Sequence, residues 1–227
     1  MKHPPRRDRK DQLGYNPYVQ CKVYKLALQK SYFSTLYGIA EGQDGFFTAK
    51  QALAAGYSNR MQTYHVQNGD WVKEARGIFR LNSYPPAAKP ELMIWYLWSS
   101  NRAGEPQGVY SHETALEIYA LSSWNSKKLH ITVPPGFQRM VLPANVELHH
   151  QRLNPEDIGT KYGVRVTKPL ITIICLLRDG GVPKKYLEEA LVQAVEQQII
   201  LPIEIANADV TKQERNAIKS LLEPKVD

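Results

Sequence analysis

The chain has 227 residues, 43% of them apolar and 22% charged, and a formal charge of +7 at pH 7. That length is ample for one or two domains with their own core, so no disulfide or metal staple is required. The longest apolar run, near 169–177, falls short of the roughly 20 residues that a membrane-spanning helix needs. The basic start MKHPPRRDRK leads into no apolar segment of a secretory signal. Cys21 and Cys175 are too far apart in sequence for a CxxC motif, which excludes a cysteine-based zinc finger. Two reduced thiols in a cytoplasmic protein are the expectation.

The charge is unevenly placed. Residues 1–84 hold 13 Lys/Arg against 6 Asp/Glu, whereas residues 85–227 hold 16 of each. The excess therefore ends just before PPAAKP (85–90), the clearest linker-like stretch. A basic head on a neutral body is the footprint of a module that docks on a polyanion, although a solvated basic surface has the same composition.

In chain order, residues 1–20 are polar, basic and Pro-containing, and read as a flexible arm. From Cys21 to about Ala40 apolar residues recur at roughly helical spacing, with a break near Ser31 and a stop at EGQDG. Thr48 is a good N-cap for AKQALAA, which stops at Gly56, and Ser58 caps NRMQTYHVQN, which ends at Gly69. WVKEA and GIFRL then read as two short strands joined through Arg76-Gly77. Helix, short helix, turn, helix and hairpin is the order of a winged helix-turn-helix.

Beyond the linker, 91–101 is an aromatic-rich helix and SHETALEIYAL a second one that starts at Ser111. Residues 128–134 and 145–153 alternate as strands, and GVRV (163–166) adds a short third. Thr167 is expected to cap an apolar, buried helix with Pro169 in its first turn. An amphipathic helix at 182–198 and a charged one at 209–222 complete the chain. The expected fold is α+β, with a flexible basic arm at 1–20, an N-terminal winged helix-turn-helix at 21–84 and a mixed α+β body at 91–227.

The functional reading rests on residues 46–81. A recognition helix buries one face and carries polar groups into the major groove on the other. Met61, His65 and Val66, with Tyr57 just ahead, are expected to be buried, so that Asn59, Arg60, Thr63, Tyr64 and Gln67 project outward. Arg pairs with guanine, and Asn or Gln with adenine, each pairing worth roughly 1–3 kcal/mol of base discrimination. Thr48 and Ser58 open helices and are both counted among the DNA-binding residues; the N–H groups at Ser58 can meet a phosphate. In the hairpin, Gly77 permits the turn, while Lys73, Arg76 and Arg80 reach for backbone phosphates or the minor groove. Packing is an equally open role for Tyr64.

The segment GFFTAKQALAAGYSNRMQTYHVQNGDWVKEARGIFRL resembles the N-terminal module of AbiEi-type antitoxins, the regulator half of type IV toxin–antitoxin systems. The likeness continues through YSHETALEIYAL, KLHITVP, HHQRLNPEDI, GVRVTKP and EEALVQAV, about 46–200 in all. It implies a winged-helix repressor that binds inverted repeats in its own promoter as double-stranded DNA, with two copies about a helical turn apart. It also implies a C-terminal domain that counters a cognate toxin of the nucleotidyltransferase class. The chain departs from that pattern at Gln62, where an apolar residue is usual, in a less basic recognition helix, and in the aromatics Trp95, Tyr96, Trp98 and Trp124.

No constellation points to an enzyme, a cofactor or a metal. His112-Glu113 lacks the second His of a zincin motif, since position 116 is Leu. His149 and His150 are adjacent on a strand and face opposite ways. Neither phosphate-cradling signature occurs, nor does G-x-S-x-G. Cys175 sits in an apolar run, where a thiol is inert. The Trp95, Tyr96 and Trp98 cluster is expected to pack in the core, with at least one ring at the domain junction; anchoring a partner is the alternative.

Overall fold

A computed structural model describes residues 30–124, 126–139 and 141–222. The basic arm at 1–20 and Cys21 lie outside the described residues. The fold is α+β and holds two sheets.

The smaller sheet has the order β1-β3-β2, all antiparallel: β1 is Phe46–Thr48, β2 Trp71–Ala75 and β3 Ile78–Leu81. Three helices accompany it: α1 (30–41), α2 (Ala49–Ala54) and α3 (Asn59–Gln67). Helix α1 is described from residue 30 onward, so the break expected near Ser31 falls at the edge of the described residues. Strand β1 is an addition to the expected elements. Because successive side chains of a strand face opposite ways, its two phenylalanines enter different cores. Phe47 joins Leu36, Tyr57, Trp71 and Phe79, whereas Phe46 joins Ile78, Leu92, Met93 and Tyr110. Strand β3 divides likewise between Ile78 and Phe79. One sheet thus serves as the floor of the N-terminal helices and as a wall of the body.

The body begins with α4 (Pro90–Trp98), which packs on β1 and β3. Its aromatics are half-buried: Trp98 meets Phe137, and Arg139 lies over both rings. The larger sheet has the order β6-β5-β4-β8-β7, from β4 (Val109–Tyr110), β5 (Leu129–Val133), β6 (Val146–His150), β7 (Ile158–Lys161) and β8 (Val164–Thr167). Pairs β5–β6 and β4–β8 are parallel, and the others antiparallel. Helix α5 (His112–Tyr119) packs on β5 and on α6 (Pro169–Asp179). Behind α6 lie α7 (Lys184–Glu196) and α9 (Lys212–Leu222), with the short α8 (Pro202–Asn207) between them in sequence.

Helix α6 buries seven of its residues, so its apolar character all round has a direct cause. Each fully buried Leu or Ile contributes about 1.5–3 kcal/mol. Its N-cap is Lys168 rather than Thr167. The Thr167 hydroxyl instead meets that of Thr172 at 2.7 Å. Burial pushes the Cys175 thiol up, in keeping with an inert sulfur. Among the described residues, no helix is long and apolar enough to cross a membrane.

Candidate functional site

The buried side chain on the inner face of helix α3 is a polar one. Gln62 is buried, and its amide NH2 donates to Ala49 O at 3.1 Å and to Tyr57 O at 3.2 Å. Met61, His65 and Val66, expected as the buried face, are only half-covered. The His65 ring stacks on Trp71 at 5.0 Å, while its Nδ1 lies 2.8 Å from Asp70 Oδ2. Hydrogen bonds from His65 and then Asn68 hold the Asp70 carboxyl below its ordinary range.

The opposite face is open. Asn59, Arg60, Thr63, Tyr64 and Gln67 are all exposed, Tyr64 at 60%. Thr63 turns its hydroxyl back onto Asn59 O at 3.1 Å, so that oxygen is partly engaged within the helix. Ser58 caps α3, its Oγ accepting from Met61 N at 3.3 Å. Thr48 caps α2 in a reciprocal box: its hydroxyl accepts from Gln51 N, and its own N–H donates to Gln51 Oε1 at 2.8 Å. On the hairpin, Lys73 and Arg76 are exposed. Arg80 differs from them, because its Nε donates to Glu74 Oε1 at 2.8 Å and its guanidinium is only half-exposed.

A second polar cluster lies in the body, and it unites residues that the sequence offered only singly. His112 opens α5 at a φ of 52°, in the left-handed region, and is buried. Its Nδ1 lies 2.8 Å from Ser111 Oγ, and its Nε2 lies 3.0 Å from Asp179 Oδ2 at the end of α6. The parallel pairing of β5 with β6 places Thr132 beside His149, and the Thr132 hydroxyl donates to Ser111 Oγ at 2.8 Å. His149 stacks on His112 with centroids 3.7 Å apart, and its Nδ1 stands 3.9 Å from Asp179 Oδ2. Its Nε2 faces His130 Nδ1 at 2.9 Å. His130 is flanked by Ser126 Oγ at 3.1 Å and Glu113 Oε2 at 3.3 Å.

Burial, then the His149 charge, lowers the His112 imidazole to about 4, against the pull of Asp179. Burial followed by His130 lowers His149 as well. Both shifts favour the uncharged forms of His112 and His149. Ser111, His112 and Asp179 line up like a hydrolytic triad, but Ser111 is 1% exposed and its oxygen cannot reach a substrate. The expected divergence of His149 and His150 holds, since His150 is exposed and lines a cleft with Phe137 and Arg139. Beside His149 the chain brings His112 and Asp179 from 37 and 30 residues away in sequence, a grouping that two adjacent histidines on a strand do not announce.

Neither a scan of family models nor a search of curated proteins gives a match. Among solved structures, the RV2827C protein from Mycobacterium tuberculosis is similar at a TM-score of 0.46 and 12% identity, over 83% of this chain and 71% of that one.

Proposed function

We propose that the chain is a DNA-binding regulator whose residues 30–84 act as a winged helix-turn-helix, α3 being the recognition helix and the β2–β3 hairpin the wing. The observation that carries this reading is the two-sided character of α3. Gln62 ties its inner side down, while among the described residues Asn59, Arg60, Thr63, Tyr64 and Gln67 are exposed on the outer side. A groove reader needs that division, with a fixed back and an unobstructed polar front. The concentration of positive charge in residues 1–84 supplies the long-range attraction to phosphates.

Within this reading Asn59, Arg60 and Gln67 choose bases, Lys73 and Arg76 hold phosphates, and Ser58 presents the helix N-terminus. Thr48 and Arg80 serve the scaffold through Gln51 and Glu74. Together with the resemblance to AbiEi-type antitoxins, the biological role we infer is autorepression by a cytoplasmic antitoxin paired with a nucleotidyltransferase-type toxin. No catalytic step is part of it. The test is a gel-shift titration of the full chain on its own upstream region at two salt concentrations. Affinity that falls steeply with salt is expected, and salt-independent or absent binding overturns the proposal. Co-expression with the product of the neighbouring gene, scored by growth, then separates an antitoxin from a stand-alone regulator.

A further inference from the structure

We propose that His112, His149 and Asp179 form a binding site for one divalent transition-metal ion of the zinc kind, at the junction of α5, β6 and α6. The site is independent of the DNA-binding reading and lies on different residues. Its three donor atoms are His112 Nε2, His149 Nδ1 and a carboxylate oxygen of Asp179, all within 4.8 Å of one another. Four-coordinate zinc holds nitrogen and oxygen ligands at about 2.0–2.2 Å, which spaces neighbouring ligand atoms about 3.3–3.6 Å apart. The observed separations of 3.0 Å and 3.9 Å from Asp179 Oδ2 bracket that spacing.

A polar atom stands at the second nitrogen of each ring, the kind of contact that orients metal-binding imidazoles. Ser111 Oγ, itself fixed by Thr132, stands at His112 Nδ1. His130 Nδ1 stands at His149 Nε2 and also 3.3 Å from Glu113 Oε2, with Ser126 at the other nitrogen of the His130 ring. In the tautomer where His112 donates to Ser111 and His149 donates to His130, two imidazole lone pairs remain on the side of one carboxylate. A cation satisfies all three donors at once. The left-handed backbone of His112 is consistent with a residue positioned by its site rather than by helix propensity.

The donor set also selects the ion. Two imidazoles and one carboxylate suit zinc and its neighbours, whereas calcium and magnesium prefer oxygen alone. Asp179 is half-exposed, so the remaining position is open to water on its side. The imidazole planes are stacked within 16° of parallel, so capture of the ion requires one ring to turn. His149, the less buried of the two, is the ring that turns about its Cβ–Cγ bond, and it gives up its stacking on His112 and His130 and its present Nε2 contact with His130 in doing so. The ion then pins the C-terminus of α6 to the sheet and to the start of α5.

The test is calorimetric titration of the tag-free full chain with Zn2+, together with the visible spectrum of the Co2+-loaded protein. One ion per chain and a four-coordinate cobalt spectrum are expected. Asp179→Ala and His149→Ala should weaken binding by at least about tenfold. His150→Ala and His65→Ala should bind like the parent. No ion in the parent overturns the proposal, and so does parent-like binding by Asp179→Ala, which would place the ion elsewhere. If His112→Ala fails to fold, the half-exposed Asp179 still decides the matter.

Discussion

The side-chain amide of Gln62 reaches the Ala49 carbonyl at 3.1 Å, and this bond ties the third helix to the start of the second. The same nitrogen holds Tyr57 O in the intervening turn. Replacement of Gln62 by Leu keeps the volume roughly but removes both donors. We expect Gln62→Leu to cost about 1–3 kcal/mol, the penalty for buried polar groups left without a partner. The midpoint of a urea unfolding curve measures it, and an unchanged midpoint would show that the two bonds add nothing net.

Arg76 and Arg80 sit on the same hairpin but in different surroundings. Arg76 is exposed, whereas Arg80 is paired with Glu74. Arg76→Ala should therefore weaken DNA binding about equally on all sequences and reduce the salt slope by roughly one. Arg80→Ala should leave that slope alone and lower stability instead. Titrations of both variants at several salt concentrations test the pair. Equal salt slopes for the two would contradict the assignment.

Arg60 is expected to act on sequence preference. Its exposed guanidinium at the start of α3 can pair with a guanine edge. Arg60→Ala should lose about 1–3 kcal/mol on the best site and become indifferent at one base pair. Selection of binding sites from a randomised DNA pool reads this out. A preference identical to the parent's at every position would remove Arg60 from base recognition.

Gly108 has no room for a side chain. A Cβ there would come within 2.8 Å of Ile131 Cγ2 and 2.9 Å of Ser99 Oγ, both on buried residues. Its N–H also donates to Ser99 Oγ at 2.8 Å. Gly108→Ala should cost about 1–3 kcal/mol through overpacking. Thermal unfolding of the variant would expose the error if its Tm matched the parent's.

The Arg178–Glu214 pair links α6 to α9. Arg178, followed by the N–H and hydroxyl of Thr211, depresses the Glu214 carboxyl to about 2. In the unfolded chain this group titrates near its ordinary value of about 4.3. Its contribution is therefore complete above that value and disappears as pH falls toward 2. Arg178 is 46% exposed, so solvent screening keeps the ion pair itself to about 1 kcal/mol or less. Glu214→Gln should lower Tm at pH 7, with a deficit that shrinks between pH 5 and 3. A constant deficit across that range would exclude the carboxylate as its source.

Local chemistry made much of the N-terminal part readable. Thr48 and Ser58 mark helix starts because their oxygens satisfy N–H groups three residues ahead, a relation contained in a few neighbouring positions. Gly77, at a φ of 73°, marks the hairpin turn for an equally local reason. Strands β1 and β4 were not legible, since two or three residues carry no period. They are strands only because β3, β5 and β8 lie alongside them. Gln62 was also missed as the anchor of α3, because a glutamine reads as surface until two carbonyls are known to face it.

By itself the sequence determined the positive charge of the first third, the caps at Thr48 and Ser58, the apolar helix at 169–177 and the polar row from Asn59 to Gln67. These properties belong to composition or to spacing within a few turns. Only the tertiary structure decided that β1 divides its phenylalanines between two cores and that Arg80 turns to Glu74. It alone brought His112, His149 and Asp179 together. Contacts of that kind depend on strand pairing and helix docking across dozens of residues, and no local period records which distant side chains will meet.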